Sequence, residues 1–143
     1  MDRTPCVLVV DDEPFVPRVL GLKLGHAGYR TVVARNGREG LELIARERPQ
    51  VVVTDISMPG MTGYELCLEA QRFRAESPFL LIVATSRTDR ELRTRVAEIP
   101  DLLFFEKPIS PRAILRAVEE YLAREPGAAA APAGAELAEA LKV

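Results

Sequence analysis

Five short and mostly apolar runs recur along the chain, each separated from the next by a segment with the spacing of an amphipathic helix. The runs lie at residues 7–10, 29–34, 51–54, 79–84 and 102–105. Continuous apolar runs of this length are typical of strands buried on both faces of a parallel sheet. Because strands and helices alternate, the sequence predicts a doubly wound α/β fold with right-handed crossovers and five helices.

The order of the strands is not determined by the alternation itself. At this size the common arrangement is the flavodoxin-like order 2-1-3-4-5, which we therefore expect. The pattern ends near residue 124, and residues 125–143 are rich in alanine, proline and glycine. We therefore predict a domain at residues 1–124, followed by a low-complexity linker or tail at residues 125–143.

Charge and hydropathy exclude several classes of function. The 19 basic and 21 acidic residues give a net charge of -2, so we expect no direct contact with nucleic acid. The apolar runs are too short to span a membrane and the N-terminus lacks a signal-peptide pattern, so we expect a cytoplasmic protein. Cys6 and Cys67 are isolated beside apolar segments, which predicts buried thiols rather than a disulfide.

Unusual polar residues follow four of the predicted strands. Asp11 and Asp12 follow the first strand, Asp55 the third, Thr85 the fourth and Lys107 the fifth. Each alone has an ordinary explanation as a helix-start, loop or surface residue, but parallel strands bring their carboxyl ends to one edge. Clustered carboxylates repel one another unless a cation neutralises them, and Mg²⁺ suits oxygen ligands. Together with an ammonium and a hydroxyl, this set suits a phosphoryl group, with Asp55 as the nucleophile.

Longer motifs support the same chemistry. Residues 7–13 are Val-Leu-Val-Val-Asp-Asp-Glu, and residues 53–63 are Val-Thr-Asp-Ile-Ser-Met-Pro-Gly-Met-Thr-Gly. The spacing is 43 residues from Asp12 to Asp55, 30 residues from Asp55 to Thr85 and 22 residues from Thr85 to Lys107. With these motifs and spacings, residues 5–124 resemble a bacterial two-component response-regulator receiver domain of the chemotaxis-regulator type.

The resemblance implies roles for the acidic residues. Asp55 would be the phospho-acceptor. Asp12, Asp55 and the backbone carbonyl of Ser57 would bind Mg²⁺, and Asp11 would hold a water on the metal. Ser57 and Arg87 would flank the approach of water to the phosphorylated residue.

The resemblance also implies how the signal leaves the site. Lys107 would contact the phosphoryl group, and the bond between Lys107 and Pro108 would be cis. Thr85 would turn toward the phosphoryl group on activation, coupled to the aromatic switch residue Phe104. The change would reach a surface made by the fourth helix, the fifth strand and the fifth helix.

The implied partners are a histidine kinase or phosphotransfer protein and an output protein or an effector domain outside this chain, with a phosphorylation-dependent dimer left open. The chain would catalyse only its own phosphotransfer and dephosphorylation.

Two alternatives are a pseudo-receiver that binds partners without phosphate and a Mg²⁺-dependent phosphohydrolase of the haloacid-dehalogenase type. The phosphohydrolase needs a second acid two residues after its nucleophile, where this chain has Ser57. Residues 97–101 also depart from the small residues usual in the receiver family, which puts the end of the fourth helix in question.

Overall fold

Strands and helices alternate strictly along the chain. The computed structural model describes residues 4–86 and 90–124. The elements are β1 (Cys6–Val10), α1 (Phe15–His26), β2 (Arg30–Ala34), α2 (Gly37–Glu47), β3 (Val51–Asp55), α3 (Gly63–Arg74), β4 (Leu80–Thr85), α4 (Arg90–Val96), β5 (Leu102–Glu106) and α5 (Pro111–Leu122).

The five strands form one parallel sheet in the order β2-β1-β3-β4-β5. The predicted fold class and strand order are therefore confirmed. Val10 pairs with Thr54, and Asp55 pairs with Ala84. This register brings the ends of β1, β3 and β4 level with one another at one edge of the sheet, which is the edge predicted to carry the polar residues.

Alternate residues of each strand enter two separate apolar layers. Leu8 and Val10 pack with residues of α2, α3 and α4, whereas Val7 and Val9 pack with residues of α1 and α5. Because both faces of the central strands are covered, the strand sequences need apolar residues at every position. A fully buried Leu or Val contributes roughly 1.5–3 kcal/mol to the free energy of folding, so these layers hold the sheet edge in place.

Local contacts show where three elements begin. Pro14 is the N-cap of α1, so the helix starts at Phe15. Strand β2 begins one residue later than the predicted run at 29–34, because the Tyr29 N–H donates to the Leu24 carbonyl and closes the end of α1 (3.0 Å). Asn36 caps α2, where its side chain accepts a hydrogen bond from the Glu39 N–H (2.8 Å).

Helix α4 is shorter than the spacing of its apolar residues suggested. Leu92, Val96 and Ile99 have the spacing of one helical face, but the helix ends at Val96 and Ile99 is buried in the following turn. Pro100 disfavours helical geometry at Ile99, and Asp101 has a φ of 54°. The turn is held instead by Arg74, whose guanidinium donates to the carbonyls of Pro100 (2.7 Å) and Asp101 (2.8 Å).

Several further predictions concern features away from the sheet edge. Cys6 and Cys67 are buried free thiols, as predicted. Among the described residues, none of the helices has the length and apolar character needed to span a membrane. The predicted tail at residues 125–143 and Arg87 lie outside the described residues, so their roles stay predictions.

Candidate functional site

Three carboxylates meet at the carboxyl edge of the sheet. Asp11 and Asp12 directly follow β1, and Asp55 is the last residue of β3. One oxygen of each side chain lies within 4.8 Å of the corresponding oxygens of the other two. Asp11 and Asp55 are buried, whereas Asp12 is exposed. The predicted acidic cluster is therefore present, with its open side at Asp12.

Burial makes this cluster electrostatically unfavourable in the absence of a cation. The pKa of Asp11 is raised, chiefly because burial disfavours its charged form. The Glu13 N–H donates to Asp11 Oδ1 (2.9 Å) and lowers this pKa, while the negative charge of Asp55 raises it further. Carboxylates that are buried and close to one another are suited to a hard divalent cation, because all of their ligand atoms are oxygens.

Lys107 brings positive charge to the carboxylate of Asp55. Its Nζ lies 2.9 Å from Asp55 Oδ1, and the Asp55 side chain is only 5% exposed. The Ser57 N–H donates to the same oxygen (3.2 Å). The backbone N–H of Lys107 donates to the Thr85 carbonyl (2.8 Å), which ties this residue to the end of β4. The Lys107–Pro108 peptide bond is cis.

The first residue of α3 fixes the main chain of Asp55, a contact that the sequence analysis missed. The Gly63 N–H donates to the Ile56 carbonyl (2.8 Å). A Cβ added at Gly63 would overlap the Asp55 carbonyl oxygen and lie 2.6 Å from Ile56 Cα. Only glycine therefore allows α3 to pack this closely on the end of β3. Thr62 and Glu65 form a reciprocal capping box that holds the start of the helix.

Thr85 and Phe104 lie beside this site but not in its cavity. Thr85 is the buried last residue of β4 and pairs with Glu106 on β5. Phe104 is half-buried opposite Val83 and belongs to the apolar layer under α4. The guanidinium of Arg93 on α4 lies 5.1 Å from the centre of the Phe104 ring. The two predicted switch residues therefore lie on β4 and β5, and Phe104 is in contact with α4 through Arg93.

The carboxylates open into a cavity of about 650 Å³. Six predicted residues line one part of it: Asp11, Asp12, Asp55, Ser57, Lys107 and Pro108. The rest of the lining is mainly apolar and comes from α1, the segment before α5 and the first residue of α5: Phe15, Val16, Val19, Leu20, Ile109 and Pro111. This apolar wall could not be predicted from the sequence, because its members lie in distant segments that only the fold brings together.

The family model and the similar proteins point to the same protein family. Residues 7–119 match the family model of the response regulator receiver domain. The chain is 34% identical over 118 residues to ycf27 of Porphyridium aerugineum, named a probable transcriptional regulator, and the match covers 82% of this chain and 48% of that protein. It is 32% identical over 117 residues to the transcriptional regulatory protein GlrR of Escherichia coli K12, covering 81% of this chain and 26% of GlrR. The chain thus spans half or less of the length of these relatives.

Solved structures agree with the observed fold. The chemotaxis response regulator CheY4 of Vibrio cholerae is 26% identical with a TM-score of 0.71, and the match covers 82% of this chain and 98% of that one. The structure of FixJ-N is 26% identical with a TM-score of 0.72, and the match covers 87% of this chain and 98% of that one.

Proposed function

Because the chain belongs to the response regulator receiver family, we propose that it is a phosphorylation-dependent switch whose acceptor is Asp55. Receiver domains are the signal-receiving part of two-component systems, in which response regulators interact with histidine kinases and output effectors. In this proposal the phosphoryl group comes from a phosphohistidine on a kinase or phosphotransfer protein. One carboxylate oxygen of Asp55 bonds to phosphorus as the bond from phosphorus to the histidine nitrogen breaks, which leaves an acyl phosphate on Asp55.

The ion pair between Lys107 and Asp55 is the observation that carries this proposal. The buried Asp55 carboxylate has an ammonium at 2.9 Å, which offsets the negative charge of the proposed nucleophile. The same ammonium is close enough to contact oxygens of a phosphoryl group bonded to Asp55. Electrostatic stabilisation of the phosphoryl oxygens is the main task of a protein in phosphoryl transfer.

Receiver domains generally bind Mg²⁺ at an acidic pocket. The residues of this chain fit such an ion, because three carboxylates offer oxygens within 4.8 Å of one another and the pKa of the buried Asp11 is already raised. We assign the ion to Asp12, Asp55 and the backbone carbonyl of Ser57, with Asp11 acting through a water. When bound, Mg²⁺ neutralises charge on the carboxylates and on the phosphoryl oxygens.

The output step is proposed to run from Thr85 to Phe104 and α4. Addition of a phosphoryl group adds negative charge and acceptor oxygens beside the end of β4, which favours a donor hydroxyl such as that of Thr85. In this proposal a shift of Thr85 is coupled to the half-buried ring of Phe104, which lies 5.1 Å from the guanidinium of Arg93 on α4. The surface of α4, β5 and α5 is then the part of the chain that an output protein, an effector domain or a second phosphorylated copy would contact.

Two other functions can be compared with the proposed phosphorylation-dependent switch. A pseudo-receiver would bind partners without phosphate, but the complete set of acids and the Lys107 ion pair favour an acceptor. A phosphohydrolase of the haloacid-dehalogenase type would turn over external phosphate esters, yet Ser57 stands where its general acid belongs. We therefore propose a regulator that acts on its own phosphoryl group in the cytoplasm, without direct contact to nucleic acid or membrane.

Intact-mass measurement after incubation with acetyl phosphate and Mg²⁺ tests the proposal. The wild type should gain one phosphoryl group, and Asp55→Asn should gain none. The matched control is Asp101→Asn, because Asp101 lies before β5 and its φ of 54° suits asparagine. Full labelling of Asp55→Asn would move the acceptor elsewhere. Absence of labelling in the wild type and in Asp101→Asn would favour the pseudo-receiver, and sustained release of phosphate from an aryl phosphate would favour the phosphohydrolase.

A further inference from the structure

The first turn of α2 packs against the loop that joins β3 to α3, at residues 56–62. Gly37 is the first residue of this helix and is buried. A Cβ added at Gly37 would lie 2.7 Å from both Cγ and Sδ of Met61 and 2.8 Å from its Cβ. Because Cβ atoms essentially never lie this close to other heavy atoms, only glycine allows Met61 to occupy its place against the helix.

The same turn of α2 also packs on the end of β1. Gly40 lies three residues further along the helix and on the same face, and a Cβ added there would lie 3.1 Å from Val10 Cγ2. The start of α2 thus contacts both the last residue of β1 and the loop after β3. These two segments lead to Asp12 and contain Ser57, which the proposed function assigns to the Mg²⁺ ion.

The middle of the loop is held by apolar packing. The two ends of the loop are joined by the hydrogen bond from the Gly63 N–H to the Ile56 carbonyl (2.8 Å). Between these ends, Met58 is 6% exposed and Met61 is half-buried, and both pack in the apolar layer that includes residues of α2 and α3. Ser57 directly precedes Met58, so the position of its carbonyl depends on how the two methionines are seated.

From these contacts we infer that Gly37 is a positioning residue for the Mg²⁺ site, because through Met61 it sets where the loop holds the carbonyl of Ser57. The inference rests on the proposed function, which assigns that carbonyl to the ion. A side chain at Gly37 would push Met61 and the loop away from α2, whereas Asp55 keeps its pairing within the sheet. The expected effect is therefore on Mg²⁺ binding and not on the reactivity of Asp55.

Replacement of Gly37 by alanine tests this separation of effects. Loss of the groups that hold metal ligands in place typically weakens metal binding by about 10–100-fold, so Gly37→Ala should raise the dissociation constant for Mg²⁺ about tenfold. Titration with MgCl₂, followed by the amide NMR signals of Asp12 and Ser57, gives this constant. The Ser57 signal of the metal-free variant should already differ from that of the wild type. At saturating Mg²⁺, labelling by acetyl phosphate should stay within about twofold of the wild-type rate.

Gly21→Ala is the matched control. Gly21 is also a helical glycine, but a Cβ added there would lie at an ordinary van der Waals distance of 3.5 Å from Thr31 Oγ1. This variant should bind Mg²⁺ as the wild type does. If Gly37→Ala bound Mg²⁺ with wild-type affinity, the inference would be overturned.

A double-mutant cycle with Met61 shows whether the effect passes through this side chain. Met61→Ala removes two of the three atoms that a Cβ at Gly37 would overlap. In this background Gly37→Ala should weaken Mg²⁺ binding by about threefold or less, which is half of the tenfold effect on a free-energy scale. Equal weakening in both backgrounds would contradict a role that acts through Met61.

Met61→Ala alone gives a test that does not require Gly37→Ala to fold. Loss of the Met61 side chain loosens the loop and should weaken Mg²⁺ binding about threefold, and wild-type affinity in this variant would also overturn the inference. Urea unfolding checks that each variant is folded at the temperature of the titrations. Absence of both Mg²⁺ binding and labelling in the wild type would reject the proposed function, whereas Mg²⁺ binding that both substitutions leave unchanged would reject the positioning role alone.

Discussion

Replacement of Gly63 by alanine is the substitution whose effect follows most directly from the structure. A Cβ at this position would overlap the carbonyl oxygen of Asp55 and lie 2.6 Å from Ile56 Cα. These are backbone atoms at the end of β3, so they cannot rotate away as a flexible side chain could. Either the start of α3 or the end of β3 must move to relieve the overlap.

The expected magnitude combines two opposing effects. Gly63 has no left-handed φ, so helix propensity by itself would favour alanine by about 1 kcal/mol. Overpacking against fixed atoms typically costs about 1–3 kcal/mol and exceeds that value when backbone must shift. We therefore expect Gly63→Ala to lower the free energy of unfolding by about 3 kcal/mol and the Tm by about 10 °C.

The same displacement should slow phosphorylation. A 1 Å misplacement of a reacting group can lower a rate by about a hundredfold, and the overlap acts on Asp55, the proposed acceptor. Labelling by acetyl phosphate should therefore fall by about this factor at a temperature where the variant is still folded. Urea unfolding followed by circular dichroism gives the stability, and intact mass against time gives the rate.

Gly25→Ala is the matched control for both measurements. Gly25 lies near the end of α1, and a Cβ added there would meet no atom within 4 Å. Alanine should therefore be neutral or stabilising by up to about 1 kcal/mol and leave the labelling rate unchanged. If Gly63→Ala proved as stable and as quickly labelled as Gly25→Ala, the argument that α3 sets the position of Asp55 would be wrong.

Three further predictions concern other contacts. Arg74→Met removes the guanidinium donor from the carbonyls of Phe79, Pro100 and Asp101, of which Asp101 keeps the Leu81 N–H as a donor (3.4 Å). This substitution should lower the free energy of unfolding by about 3 kcal/mol. Arg72→Met is the control, because Arg72 is exposed, and it should change the free energy of unfolding by less than about 0.5 kcal/mol. If urea unfolding gave equal effects for the two variants, the role assigned to the Arg74 contacts would be wrong. Burial raises the pKa of the Cys67 thiol to about 12, so Ellman's reagent at pH 8 should react only after urea unfolds the protein; rapid reaction of the native form would contradict this burial. Arg93→Ala should broaden or shift the ring NMR signals of Phe104 at a stability cost of about 0.5–1 kcal/mol, and unchanged ring signals would show that the Arg93 contact does not restrain the ring.

Periodicity was enough to predict the strands, the helices and the edge that carries the polar residues, whereas the strand order rested on the arrangement common at this size. A local run of apolar residues predicts each strand, and in a parallel sheet the residues that follow such runs lie at one edge. Asp11, Asp55 and Lys107 could therefore be placed together from their positions relative to the runs. The end of α4 was less predictable, because Ile99 continues the apolar spacing while Pro100 stops the helix.

Contacts between distant segments were beyond this kind of prediction. Nothing near Gly63 in sequence indicates that its hydrogen atom faces the Asp55 carbonyl. Phe15 and Ile109 are separated by most of the chain, and only the packing of α1 beside the start of α5 makes them one wall. The role of Arg74 likewise depends on carbonyls that come from two separate loops, so its burial could not be inferred from its place at the end of α3.

The Arg74 contacts also constrain how α4 can respond to events at Asp55. They hold the turn after the C-terminal end of α4, whereas the carboxyl edge of the sheet, where β4 ends at Thr85, precedes the start of that helix. In the proposed output step, a rearrangement that starts at Asp55 would therefore reach a helix that is tethered at its far end. We predict that such a helix pivots about this tether rather than sliding along the sheet, with its largest displacement near Arg90 and its smallest near Val96.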